Sequence, residues 1–179
     1  MTPGAVYWFT GLAGAGKSTL ARLFVQRLRD LGRRAILLDG DELRVMFGGD
    51  LGFTREDRLA SAMRNARLCK LLSDQGMDVV CATISLFHAC QAWNRAQMPR
   101  YHEVFVTAPM TVLAARHPTK LYDGDPGGDP TNIVGVDLTA EEPITPDFVV
   151  VNDGRLPPTV VAEQVWAALG PERASKETL

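Results

Sequence analysis

The sequence predicts an α/β fold, a mainly parallel sheet with helices on both faces. Two observations carry this. Short apolar, strand-like runs alternate with helix-periodic segments to the end of the chain. The first such pair is joined by Gly11-Leu12-Ala13-Gly14-Ala15-Gly16-Lys17-Ser18, a G-x-x-x-x-G-K-[ST] run with an apolar run before it and a helical stripe after it. At 179 residues the chain is expected to form one domain over 1–169 with a polar tail over 170–179.

The strands fall at Val6–Thr10, Ala35–Asp39, Asp78–Ala82, His102–Val106 and Phe148–Asn152. Leu20, Leu23, Phe24, Leu28 and Leu31 form the apolar stripe of a first helix. A long helix is expected from about Arg55 to Gln75, with Gly76 stopping it. Further helices are expected over Ala89–Gln97, Met110–Arg116 and Val160–Leu169. Asp123 to Asn132, DGDPGGDPTN, cannot hold a regular element. It reads either as a surface loop or as part of a lid over about 117–142.

Composition narrows the function. Apolar residues make up 46% and charged residues 22%, and the formal net charge is −2, so nothing points to a nucleic-acid polymer or an anionic membrane as partner. No apolar run approaches membrane-spanning length, and no export signal is visible. Cys69, Cys81 and Cys90 are odd in number and lack C-x-x-C spacing, so they read as small apolar residues in a reducing compartment, the cytoplasm.

The glycine-rich run carries the first chemistry. A phosphate chain needs many donors at close range. Gly11, Gly14 and Gly16 let the backbone curl its N–H groups inward, with Ala13, Ala15 and Thr19 completing the cradle. The helix beginning at Lys17 adds its positive N-terminus. Lys17 is expected to reach the β- and γ-phosphates of ATP, and the Ser18 hydroxyl to ligate magnesium.

In an open α/β sheet, ligands bind beyond the carboxyl ends of the strands. The second strand ends in Leu38-Asp39-Gly40-Asp41-Glu42-Leu43-Arg44. Of Asp39 and Asp41, one can hold magnesium, directly or through water, and the other can accept a proton from an attacking hydroxyl. The bland alternative is a polar turn with Asp41 as the cap of a short helix. Arg44, Arg58 and Arg64 suit bidentate phosphate or sulfate contacts, and Phe53 suits stacking on a base. Ile84 and Phe87 read as core packing, and His88 and His102 as ordinary surface or packing residues.

Taken together, Gly11–Ser18, LDGDELR over Leu38–Arg44, LGFTREDR over Leu51–Arg58, ISLF over Ile84–Phe87, Leu121–Tyr122, Gly135-Val136-Asp137, Pro143 and Pro146-Asp147 follow the order and spacing of adenylylsulfate (APS) kinases. The chain resembles that family from Val6 to about Asn152. The resemblance implies a P-loop kinase fold with sheet order 2-3-1-4-5, a lid, and phosphate transfer from ATP–magnesium to a ribose 3′-hydroxyl of adenylyl sulfate. It implies Asp41 as base and Asp39 in the magnesium shell. Arg44, Phe53 and Arg58 would hold the acceptor, with Ser61, Ile84, Ser85, Lys120 and Leu121 beside it, and Arg116 would lie on the ATP side. Ser85 matches a family serine that carries phosphate in some members. A homodimer is what the family suggests.

The departures cluster on the acceptor and lid side. Ser61 replaces the asparagine of an N-I-R-R run, and Leu86 replaces a proline. His117 replaces an aspartate, Lys120 is shifted by one, and Asp123, Asp125 and Asp129 make a basic lid acidic. That is what a changed acceptor leaves behind. Cys69–Leu72, Gln75-Gly76, Asn94-Arg95, Tyr101–Glu103, Asn132–Asp137 and Val151–Gly154 look like a subgroup that phosphorylates cytidine diphosphoramidate. The readings are therefore an APS kinase-like enzyme, a cytidine diphosphoramidate kinase, or a non-catalytic nucleotide-binding module.

Overall fold

A computed structural model of the chain describes residues 2–116, 134–135 and 138–171. Five strands form one all-parallel sheet in the order β2-β3-β1-β4-β5. They are β1 Val6–Thr10, β2 Ala35–Asp39, β3 Asp78–Ala82, β4 Tyr101–Thr107 and β5 Phe148–Val151. The helices are α1 Lys17–Asp30, α2 Gly40–Met46, α3 Arg55–Asp74, α4 His88–Gln97, α5 Met110–Arg116 and α6 Pro158–Leu169. The sheet order is the one the resemblance implies. Most of the expected lid, with Lys120 and Leu121, and the tail from 172 onward lie outside the described residues.

β1 shows why the sheet is a middle layer. Every residue of VYWFT is buried, with side chains alternating between two cores. Tyr7 and Phe9 join the cluster built on Phe24, Leu28, Val165 and Trp166 of α1 and α6. Val6 and Trp8 join the cluster built on Ala62, Ala66, Cys69 and Cys90 of α3 and α4. Phe24 sits 4.6 Å from Tyr7 and 5.0 Å from Trp166, ring centre to ring centre, which locks α1 between strand and α6.

Helix ends explain the small shifts from the expected boundaries. α3 stops at Asp74, and Gly76 takes a φ of +80°. The Met77 N–H then reaches the Leu72 carbonyl and the Gly76 N–H the Ser73 carbonyl, closing the helix as a Schellman turn. α4 starts at His88, one residue early, because the Glu141 carboxylate accepts from the His88 N–H at 2.7 Å. That partner lies 53 residues away, so no local pattern announces it.

Candidate active site

The order β2-β3-β1-β4-β5 places β1 where the chain's connections diverge to either side, so a crevice opens above its carboxyl end. A cavity of about 970 Å³ lies there, near the top of the usual range of about 300–1,000 Å³ for small-ligand sites. Its middle is the phosphate loop. Gly16 takes φ +96° as the N-terminal cap of α1, and Gly11 takes φ +148°. A Cβ on Gly11 would stand 2.0 Å from the Val106 carbonyl oxygen of β4, so the loop lies directly on the sheet.

Lys17 is buried, and its Nζ donates to the Leu12 carbonyl at 2.8 Å across the loop. Burial pushes its ammonium down to about 8, against the pull of Asp41 and Asp39. Ser18 and Thr19 follow on the first turn, and both line the cavity.

Asp39 and Asp41 stand opposite the loop, both on the cavity wall. The Asp39 carboxylate is 5% exposed; its Oδ1 accepts from the Asp41 N–H at 3.0 Å, and its Oδ2 is 3.9 Å from Arg22 Nη2. The cap of the short helix is therefore Asp39, not Asp41 as in the bland alternative. Capping leaves the Asp41 side chain exposed to the cavity rather than occupied. Among the described residues no cluster of three or more His, Cys, Asp or Glu side chains is suited to a metal. The donors at hand, one hydroxyl and one carboxylate, instead fit magnesium, which keeps several waters and takes phosphate oxygens as ligands.

One end of the cavity holds the predicted acceptor residues. Arg44, Phe53, Arg58, Ser61, Ile84 and Ser85 all line it. Phe53 is half exposed, with the Arg44 guanidinium 4.1 Å and the Arg58 guanidinium 5.3 Å from its ring centre. Arg44 also donates to the Leu51 carbonyl at 2.6 Å and Arg58 to the Phe53 carbonyl at 3.0 Å, so both arginines shape the loop that presents the ring. Ser85 has φ +24°, the only non-glycine residue with positive φ among those described, and its hydroxyl lies 2.8 Å from that of Thr83. Arg64 takes no part: it faces Asp50, with two contacts of 2.8 Å. His88, read as an ordinary residue, pairs with Glu141 and the Glu142 carbonyl.

The other end is lined by Ala13, Gly14, Arg116, Asn152 and the Gly154–Pro158 turn after β5. Sequence reasoning named Arg116 but gave no site role to Asn152 or this turn. Their position past the last strand was the available signal.

Comparison with known proteins bears on the family. The adenylyl-sulfate kinase of Paraburkholderia xenovorans is 40% identical over 167 residues, 93% of each chain. The cytidine diphosphoramidate kinase of Campylobacter jejuni is 36% identical over 84% of this chain and 87% of its own. The chain spans 24% of the length of the bifunctional enzyme NodQ of Rhizobium sp., at 40% identity. The APS kinase CysC of Mycobacterium tuberculosis, solved in complex with AMPPNP and APS, superposes with a TM-score of 0.84 at 32% identity, covering 94% of this chain and 99% of that one. A sequence model described as adenylylsulphate kinase matches residues 3–151, the span that holds the phosphate loop, both aspartates and the Phe53 pocket, and the chain therefore belongs to the adenylylsulphate kinase family.

Proposed function

We propose that this chain is an ATP-dependent kinase that transfers the γ-phosphate to a ribose hydroxyl of a small nucleotide acceptor, adenylyl sulfate in the first instance. The observation that carries the reading is one cavity lined by Lys17 of the phosphate loop, by Asp39 and Asp41, and by Arg44, Phe53 and Arg58. The loop N–H groups and Lys17 hold the β- and γ-phosphates. Magnesium, when bound with ATP, neutralises charge on those oxygens, and Ser18 and Asp39 are the groups that would hold it. Asp41 accepts the proton of the acceptor hydroxyl as its oxygen bonds to the γ-phosphorus. The bond from that phosphorus to the bridging oxygen then breaks and ADP leaves. Most of the acceleration comes from positioning and charge stabilisation.

A second reading, a cytidine diphosphoramidate acceptor, is favoured by the Campylobacter relative, which matches this chain over 87% of its own length. Both acceptors join a nucleotide to a charged end group, so one pocket chemistry serves either. The fold would work as one domain over 1–169 with a lid over about 117–142. The free thiols of Cys69, Cys81 and Cys90, all buried, support a reducing, cytoplasmic setting. Among the described residues no helix is long and apolar enough to cross a membrane.

The test is ADP release with magnesium–ATP and, in separate arms, adenylyl sulfate or cytidine diphosphoramidate. Acceptor-dependent release that Lys17→Ala abolishes is the expected result. ATP binding without release in any arm would leave a non-catalytic nucleotide module and overturn the proposal.

A further inference from the structure

The two sides of the acceptor end come from different parts of the chain. Phe53 and Arg58 stand at the start of α3, whereas Ile84, Ser85 and Phe87 belong to the loop between β3 and α4. Both sides lie beyond the strand ends, so the ladder of the sheet does not set their separation. The second side also needs support of its own. Ser85 holds φ +24°, and such a backbone state persists in a non-glycine residue only where its surroundings enforce it.

Glu141 joins the two sides from outside, for neither it nor Arg55 lines the cavity. Its Oε1 pairs with Arg55 Nη2 in the first turn of α3. Its Oε2 accepts from the His88 N–H at 2.7 Å, and its own N–H donates to the Leu86 carbonyl at 3.1 Å. Gln91 Nε2 donates to the Glu141 carbonyl at 3.0 Å. The Arg55 guanidinium in turn stands 5.6 Å from the centre of the Phe87 ring. Capping α4 accounts for one of the two carboxylate oxygens, since the N-cap residue Phe87 has no side chain to do it. It does not account for the other. The Arg55 side chain is 50% exposed, so the ion pair adds little to stability, and what it supplies is geometry.

We infer that Glu141 is a positioning residue for the acceptor: through Arg55 and the 84–87 loop it sets the width of the space between Phe53–Arg58 and Ile84–Phe87. This rests on the kinase reading above. Its partners Arg55, Leu86, His88 and Gln91 all lie outside the phosphate loop, so the ATP end is independent of it.

The experiment measures kcat, and KM for the acceptor and for magnesium–ATP, on the full chain carrying Glu141→Gln, Arg55→Gln or both, with a melting curve for each. The acceptor is adenylyl sulfate or cytidine diphosphoramidate, whichever the wild type turns over. Glu141→Gln keeps an oxygen for the His88 N–H but loses the charge that holds Arg55. Each single change is expected to raise the acceptor KM about tenfold while the KM for ATP stays within about twofold. The double variant should fall within about twofold of the poorer single one, because both changes break one link. An acceptor KM within about twofold of wild type in either folded single variant overturns the inference and leaves Glu141 a cap of α4, whatever Tm does. Acceptor and ATP KM values that rise together overturn it too, as a general loosening, and so do single effects that multiply in the double variant. Arg55→Gln alters a half-exposed side chain, so it carries the test even where Glu141→Gln does not fold. No transfer by the wild type to either acceptor overturns the kinase reading and this inference with it, a failure recognisable because no variant is involved.

Discussion

Asn152 Nδ2 donates to the Ala15 carbonyl at 2.8 Å, tying the end of β5 to the phosphate loop across 137 residues of sequence. The Asn152 carbonyl in turn accepts from Arg116 Nη1 at 2.8 Å. The loop is thus held from the donor side as well as by its own helix. Gly16 belongs to the same arrangement, because a Cβ there would stand 2.3 Å from Asn152 Nδ2. Asn152→Ala strands the buried Ala15 carbonyl and is expected to weaken ATP binding about tenfold. Gly16→Ala adds strain at φ +96° and should weaken it further. Isothermal titration with AMPPNP separates the two.

Asp39 and Asp41 differ in what already occupies them. Asp39 caps α2, whereas Asp41 is exposed to the cavity. Asp41→Asn is expected to lower kcat by about 100-fold or more while the ATP affinity changes less than about twofold, as for loss of a general base. Asp39→Asn keeps an oxygen to cap the helix but loses the charge, so its effect should appear as a raised magnesium requirement. Rate against magnesium concentration, for both variants, reads the difference.

Lys17 gives the site a pH signature. Its ammonium sits at about 8 in the folded chain against an ordinary 10.5, chiefly through burial. Between those values the unfolded chain keeps a proton that the ligand-free fold has released, so this group makes the free fold more stable as pH rises through the window. Phosphate binding responds in the opposite sense, because it needs the charge. The Kd for AMPPNP should rise above pH 8 with a limiting slope of about tenfold per pH unit. Lys17→Arg keeps its charge throughout and should flatten that dependence even if it binds more weakly.

How much of this was legible in the sequence follows from the range of the forces involved. The phosphate loop, Asp39 and Asp41 lie within a few residues of a strand end, and local spacing suffices to find them. α4 gains its first residue from the distant Glu141, whereas the cap of α2 rests on a local choice: Asp39, a side chain equally suited to a metal shell, accepts from the Asp41 N–H two residues on. Asn152 was legible only as a motif fragment, because its role needs β5 beside β4 and the loop above both. Asn65 was unreadable for a different reason. A polar residue on a long helix is ordinarily solvated, and only packing reveals that this one is buried on the cavity wall.

The Phe53 ring is the acceptor-side counterpart of the loop. It is held by Arg44 and Arg58 yet remains half exposed, so it has a face left for a ligand. Phe53→Ala removes that platform and frees both arginines from their stacking. Stacking on a base contributes about 1–3 kcal/mol, so KM for the acceptor should rise about tenfold or more with the KM for ATP nearly unchanged. Initial rates at saturating ATP provide the check.

The opposite end of the strands supplies a test of stability without chemistry. Asp78 opens β3 and is 3% exposed. Its Oδ1 accepts from the Ala5 N–H at 2.9 Å and from Arg33 Nη2 at 3.0 Å, and its Oδ2 pairs with Arg33 Nε. One carboxylate thus joins the entry to β1, the turn after α1 and the start of β3. Asp78→Ala leaves the Ala5 N–H without its acceptor and the Arg33 guanidinium without its counter-charge. Breaking a buried pair costs about 3–5 kcal/mol, and because the Arg33 side chain is 32% exposed the lower end, about 3 kcal/mol, applies here. At about 2–4 °C per kcal/mol for a chain of this size, Tm should fall by roughly 6–12 °C. Arg33→Gln keeps the Ala5 contact and should lose less than half as much. Neither residue lines the cavity, so both variants should retain wild-type KM for ATP below their melting range. A calorimetric Tm beside the KM for each variant separates this anchor from the catalytic apparatus: a drop in Tm with a large rise in KM would show that the two ends of the sheet are coupled.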